Sequence, residues 1–293
     1  MKAKIFILFL FAITLLQSCE DAFTTIKEID IPEHKSKLAV FVNLSENKGD
    51  FSVSYSKIIT NNNDYTPVNA DITILENGNL FYKTSFIGSD NKSYFEKDLG
   101  KSISEGKEYT LIVENTTYGI ATSKQIVPRK PEFSNLKYKK DGYIASGGYK
   151  TDLLSFDIND DPAFENYYLV ESSGTFSQGN ETWEQNLYLN SEDPSVKQFW
   201  FSSKGGLIIS DKNFNGSVSK ILTNFENYNQ YKKIKLKIYS ITKDYYHFLL
   251  SYNQYQDAEG NPFAEPVNVH NNIENGYGLF QVNSSKEMVF DIE

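Results

Sequence analysis

The chain has 293 residues and a formal charge of −9, and its 40% hydrophobic and 15% aromatic side chains supply enough apolar surface to rule out a wholly disordered protein. A single cysteine excludes an internal disulfide, a paired-cysteine zinc site and a CxxC redox centre, and three histidines (His34, His247, His270) leave little for a histidine-based cluster. The excess of acid argues against a nucleic-acid partner, whose phosphates require a basic face.

Lys2 and Lys4 precede the uncharged apolar run Ile5–Leu16. That run is shorter than the ~20 residues of a membrane-spanning helix and has the build of a secretory signal over residues 1–18. It ends in Leu16-Gln17-Ser18-Cys19, which resembles the bacterial lipobox. In that motif a small residue, here Ser18, precedes the cleavage point, and the cysteine becomes a lipid-bearing first residue. Cys19 is therefore expected to carry the anchor. Removing the leader leaves 27 basic and 38 acidic residues, a charge of −11. Glu20 and Asp21 follow the cysteine and look like the acidic export signal that directs lipoproteins to the outer face of an outer membrane.

Residues 19–36 read as anchor and tether. Lys37–Leu44 is a β-rich run, and Phe51–Ile58 alternates Phe51, Val53 and Tyr55 against Ser52, Ser54 and Ser56, the period of a strand with one wet face. Asp71–Phe86 holds two strands around Asn77-Gly78, a pair suited to the positive φ angles of a tight hairpin. Glu108–Glu114 and Gly119–Val127 add two more. Strand number and spacing over 37–128 predict an immunoglobulin-like β-sandwich. Pro128 and Pro131 break the pattern and mark a boundary.

The second part, 132–293, is predicted to be a further β domain. Its strand candidates are Asp152–Ile158, Tyr167–Ser172, Thr182–Leu189, Phe199–Ile209 and Lys232–Ile241. Thr242 can cap one amphipathic helix near 243–256, because Tyr245, Phe248, Leu249 and Tyr252 recur at i, i+3, i+4 and i+7. The helix is expected to end near Gly260-Asn261-Pro262, with Gly278–Val282 and Met288–Ile292 as closing strands. The fold class is thus mainly β, in two β-rich domains.

Several segments together resemble the Bacteroidota lipoproteins grouped as the domain-of-unknown-function family numbered 4249. They are Cys19-Glu20-Asp21 with its lipobox, Ile29-Asp30-Ile31-Pro32 leading into the first strand, the Ile238–Tyr255 strand-helix unit, Glu265-Pro266-Val267-Asn268-Val269, and Asn272-Ile273-Glu274-Asn275-Gly276-Tyr277-Gly278-Leu279-Phe280. The resemblance implies a two-domain, β-rich outer-membrane lipoprotein, often encoded beside TonB-dependent receptors. It transfers no catalytic or binding residues.

Candidate chemistry is sparse. Asp211, Asn213 and Asn215, followed by Gly216, have calcium-loop spacing, but Leu222 stands where the bidentate carboxylate belongs, so a surface turn explains the same letters. Asp157, Asp160 and Asp161 cluster before Pro162, where a turn accounts for them better than a glycosidase pair. His247 and His270 lack a triad context. The sequons at Asn115 and Asn180 carry little meaning in a bacterium. Trp183, Trp200 and the Tyr245/Tyr246 pair could stack on sugars, although aromatics at strand and helix spacing usually pack in cores. No catalytic residue, metal site or cofactor is expected. The expected role is a non-enzymatic lipoprotein of the outer membrane facing the cell exterior, a binding or accessory subunit beside a TonB-dependent transporter, with a small-molecule or glycan ligand. The alternatives are a stand-alone glycan-binding or adhesive module, and a hydrolase with an unrecognised acid pair.

Overall fold

Among the described residues, seven strands precede the Pro128–Pro131 break: β1 (Leu38–Ser45), β2 (Lys48–Tyr55), β3 (Ala70–Glu76), β4 (Asn79–Phe86), β5 (Phe95–Asp98), β6 (Glu108–Asn115) and β7 (Gly119–Ile126). After it come β8 (Glu132–Ile144), β9 (Lys150–Asn159), β10 (Tyr167–Gln178), β11 (Glu181–Asn186), β12 (Val196–Phe201), β13 (Lys204–Ser210), β14 (Val218–Phe225), β15 (Lys233–Ile241), helix α1 (Lys243–Ala258) and β16 (Tyr277–Asp291). They belong to a computed structural model that describes residues 34–57, 66–88, 94–179, 181–201, 204–228, 230–261 and 263–292. Ser18, Cys19, Glu20 and Asp21, with the leader and most of the tether, lie outside the described residues. The protein is mainly β, as the alternating sequence predicts, with one α-helix among the described residues, and Ser36–Glu293 forms one compact unit.

The local signals act where they stand. Asn77 and Gly78 take φ of 46° and 82° and turn β3 into β4. Thr242 caps α1, its side chain accepting from the Tyr245 N–H at 3.3 Å. Two segments expected as closing strands are one, because β16 runs unbroken for 15 residues. The Phe199–Ile209 run is instead a hairpin, β12 and β13.

β16 organises the molecule. Its first half, Tyr277–Asn283, pairs in parallel with β1, while its second half, Ser284–Asp291, pairs antiparallel with β15. It thereby joins β5-β2-β1 to β15-β10-β13-β12 in one sheet, which β11, paired with β10, brings to nine strands. Two smaller sheets, β4-β3-β6-β7 and β14-β9-β8, cover the inner face. The first core gathers residues from β1 to Val127, with Ile273, Phe280 and Val282 from the chain's end. The second gathers Phe133 to Ile292. The Pro128–Pro131 segment lies where one core gives way to the other, while the large sheet runs across that point. Arg129 binds Asp161 at 2.7 Å and the Lys130 N–H donates to Glu105 at 3.2 Å, so the segment is tied on both sides. Each buried phenylalanine, such as Phe51, Phe156 or Phe280, contributes about 2–3 kcal/mol by leaving water.

Helix α1 lies on the outer face of the large sheet. Phe248 and Leu249 are buried there against Leu169, Ile208, Ile241 and Leu279, with Tyr245 and Tyr252 at the margin. The aromatic stripe therefore packs on the sheet as its spacing predicts.

Candidate functional site

The segment after α1 is closely hydrogen-bonded and contains the Asn272–Phe280 motif. The Asn272 side chain acts as a short strand: its Oδ1 accepts from the Phe280 N–H at 2.8 Å and its Nδ2 donates to the Phe280 carbonyl at 2.7 Å. Glu274 and Thr122 exchange backbone hydrogen bonds of 2.8 and 3.1 Å, joining the segment to β7. The Ser123 hydroxyl adds a 2.7 Å bond to the Asn272 carbonyl. Asn275 turns the chain at φ 57°, and a side chain at Gly276 would press on the Leu38 carbonyl. These residues lock β1, β7 and β16 together, so the motif is architectural.

His270 belongs to the same clamp. Its Nε2 lies 2.8 Å from Asp244 Oδ1, and the Gln125 amide donates to Asp244 Oδ2 at 2.6 Å. Ser251 stands nearby but is not a nucleophile for this pair. Its oxygen accepts from the His270 backbone N–H at 2.8 Å, and its proton goes to the His247 carbonyl at 2.8 Å. Burial pushes the Asp244 carboxyl upward, but the bonds from Gln125 and His270 outweigh that and hold it below the usual value of 3.8. Asp244→Asn is expected to lower stability by about 1–2 kcal/mol at pH 7. Because the folded carboxyl is the stronger acid, its contribution is complete above pH 3.8 and is lost as pH falls below it. Denaturant unfolding of both proteins across pH 2.5–7 (about 0.5-unit steps) should show the gap closing at the acid end.

The remaining acids are also engaged. Asp211 is 1% exposed, and its Oδ2 accepts from the Asn166 N–H at 2.6 Å; burial raises its pKa. It caps a loop and points inward, and Asp211–Asn213 forms a 3-10 turn. Asp160 accepts from the Tyr168 hydroxyl at 2.7 Å and the Gly216 N–H at 2.8 Å. Asp157 accepts from Asn135 at 2.7 Å. Among the described residues no group of three or more His, Cys, Asp or Glu is arranged to hold a metal.

A groove of about 300 Å³ opens on the outer face of the large sheet, lined in part by Glu171, Glu184, Asn186, Lys235, Lys237 and Tyr239, with Glu287 at its edge. Register explains why these side chains share a face. Glu171 stands opposite Lys237 and Ser173 opposite Lys235 between β10 and β15, while Lys237 faces Glu287 and Tyr239 faces Ser285 between β15 and β16. The opposite face of β15 supplies Ile234, Leu236 and Ile238 to the core. Lys235 pairs with Glu184, which also accepts from the Ser173 hydroxyl at 2.6 Å; the lysine and that hydroxyl hold Glu184 below the usual carboxylate range. The Tyr239 hydroxyl donates to Glu171 at 2.9 Å, and burial with that neighbouring charge pushes its pKa up. Lys237 lies 4.9 Å from the centre of the Tyr239 ring and makes no ion pair among the described residues. The groove thus offers a half-buried ammonium, carboxylates, an amide and hydroxyls to a polar guest.

Sequence reading did not find this groove. The signal in the sequence is the pair Lys235 and Lys237 on alternate, outward positions of β15, which does not by itself mark a groove. Trp183 is 50% exposed. It stands opposite Phe176, whose ring joins the second core, so the indole lies on the other side of β11 from Glu184 and the groove. Trp200 lies in β12, and its side chain is outside the described residues.

Residues 24–288 match the model of the family described as Domain of unknown function (DUF4249). No curated protein matches the chain.

Proposed function

From the premise that the chain belongs to the DUF4249 family, we propose that it is a lipid-anchored outer-membrane lipoprotein facing the cell exterior, a non-enzymatic binding or accessory subunit beside a TonB-dependent transporter. The observation that carries the anchor is the placement of the sole cysteine, Cys19, directly after an apolar leader. The groove carries the binding role: its charges sit on a sheet face held rigid by strand pairing, and Lys237 is left without a carboxylate partner among the described residues. A ligand with both anionic or hydroxyl groups and hydrogen-bond donors matches that lining. The acidic mature chain leaves nucleic acid out of the reading.

Recovery of the native protein from detergent-solubilised outer membranes tests the assembly. A transporter should co-purify, and recovery without one would count heavily against the proposal. The second reading, a stand-alone glycan-binding or adhesive module, draws on the half-exposed Trp183, because a ring in that position can stack on a sugar. Retention of the lipid-free protein on a polysaccharide gel, with no transporter recovered, would favour it.

A further inference from the structure

Three side-chain atoms in β16 are sealed from solvent and have no hydrogen-bond partner among the described residues: Gln281 Oε1, Asn283 Oδ1 and Ser284 Oγ. Strand alternation separates them. Gln281 and Asn283 share the outer face with Leu279, and Ser284 points to the other. Gln281 is 7% exposed and Asn283 3%, so both amides are withdrawn from water.

Their orientation is imposed from a distance. Asp50 Oδ2 accepts from Asn43 Nδ2 at 3.2 Å. A carboxylate only accepts, so Asn43 must turn its nitrogen to Asp50 and its oxygen toward β16. Gln281 Nε2 and Asn283 Nδ2 both donate to that single oxygen, at 2.6 and 3.0 Å. Reversing either amide would set oxygen against oxygen. The chain of bonds therefore leaves two carbonyl oxygens turned away from Asn43 and unpaired, an arrangement that is costly unless something fills it.

The missing group must bring positive charge or hydrogen. The surroundings are acidic: Asp50 belongs to the cluster, and Glu46 accepts from Ser285 at 3.1 Å on the same face. Lys48, two residues from Asp50 along β2, is taken by Glu96 at 3.0 Å. We propose that the side-chain oxygens of Gln281 and Asn283 hold a small monovalent cation, an alkali metal ion or ammonium, where β16 passes from β1 to β15. Neutral oxygens that replace a hydration shell suit a singly charged ion. A divalent ion would call for carboxylates in its shell, and Asp50 and Glu46 are directed to Asn43 and Ser285. The ion would tie the two halves of the large sheet at their shared strand, independently of the groove and its ligand.

The test compares thermal unfolding of the full mature protein in detergent in sodium, potassium, ammonium and N-methylglucamine chlorides at equal ionic strength, which holds screening constant. At least one small cation should raise the midpoint saturably, and the bulky cation should not. The effective salt identifies alkali metal or ammonium as the occupant. In Gln281→Met and in Asn283→Leu the half-saturating concentration should rise about tenfold or more. Sodium-23 line broadening by the unaltered protein, reversed by potassium or ammonium, reads the same site without a variant. Equal midpoints in all four salts, or a saturable effect kept by both variants, would overturn the proposal and leave ordered water as the occupant.

Discussion

Cys19→Ala is expected to move the protein wholly from the membrane fraction to the soluble fraction. The reason is additive hydrophobic transfer: each acyl CH₂ placed in the bilayer contributes about 0.8 kcal/mol, so one chain holds weakly and two or three hold firmly. No helix among the described residues is long and apolar enough to cross a membrane, so the proposal places the whole attachment on the lipid. Ser36–Glu293 is a compact unit that does not include the cysteine, so the substitution should leave the unfolding midpoint of the folded part unchanged. Fractionation of cells followed by a high-salt wash separates the cases. A variant that stays in the washed pellet would refute lipid anchoring through Cys19.

Gly278→Ala is the structural counterpart and should cost about 3–5 kcal/mol. Two effects coincide there. The residue takes φ 118°, a conformation that L side chains rarely adopt. A Cβ would also lie 2.0 Å from the Val40 carbonyl oxygen, and Val40 is its register partner in the parallel β1–β16 pairing. The chain would have to move where the shared strand enters the sheet. Gly78→Ala is the control, because Gly78 has φ 82° and a Cβ there would meet nothing within 4 Å, leaving only the backbone penalty of about 1 kcal/mol. Urea unfolding of both variants decides the matter. A loss at Gly278 no larger than at Gly78 would show that the close approach to Val40 is relieved cheaply.

Legibility varied along the chain for physical reasons. The β3–β4 hairpin was readable because Asn77-Gly78 encodes its turn within two residues, and α1 because its cap and apolar stripe lie within one window. Strand β8 escaped notice. Its Lys137-Tyr138-Lys139-Lys140-Asp141 stretch is largely exposed, it lies at the edge of its sheet, and its pairing with β9 shifts register twice. The Asn272–Phe280 motif was legible as a family resemblance but not as a clamp, since its partners Thr122, Ser123 and Leu38 lie far away in the chain. The groove was hidden for a similar reason: Glu171, Glu184 and Lys237 sit on three strands, and only their register brings them to one face.

By itself the sequence determined the features that depend on near neighbours. These are the apolar leader ending at Cys19 as an expected anchor, the β periodicity, the tight turn at Asn77-Gly78 and the capped helix. Partner choice was decided only in the tertiary structure. A strand's alternation says which side chains share a face but not which strand lies beside it. That is why β16 could be read as two short closing strands, when its 15 residues serve β1 with one half and β15 with the other. From that double pairing follow the nine-stranded sheet, the groove on its outer face, and the two amide oxygens of Gln281 and Asn283 left unpaired elsewhere on that face.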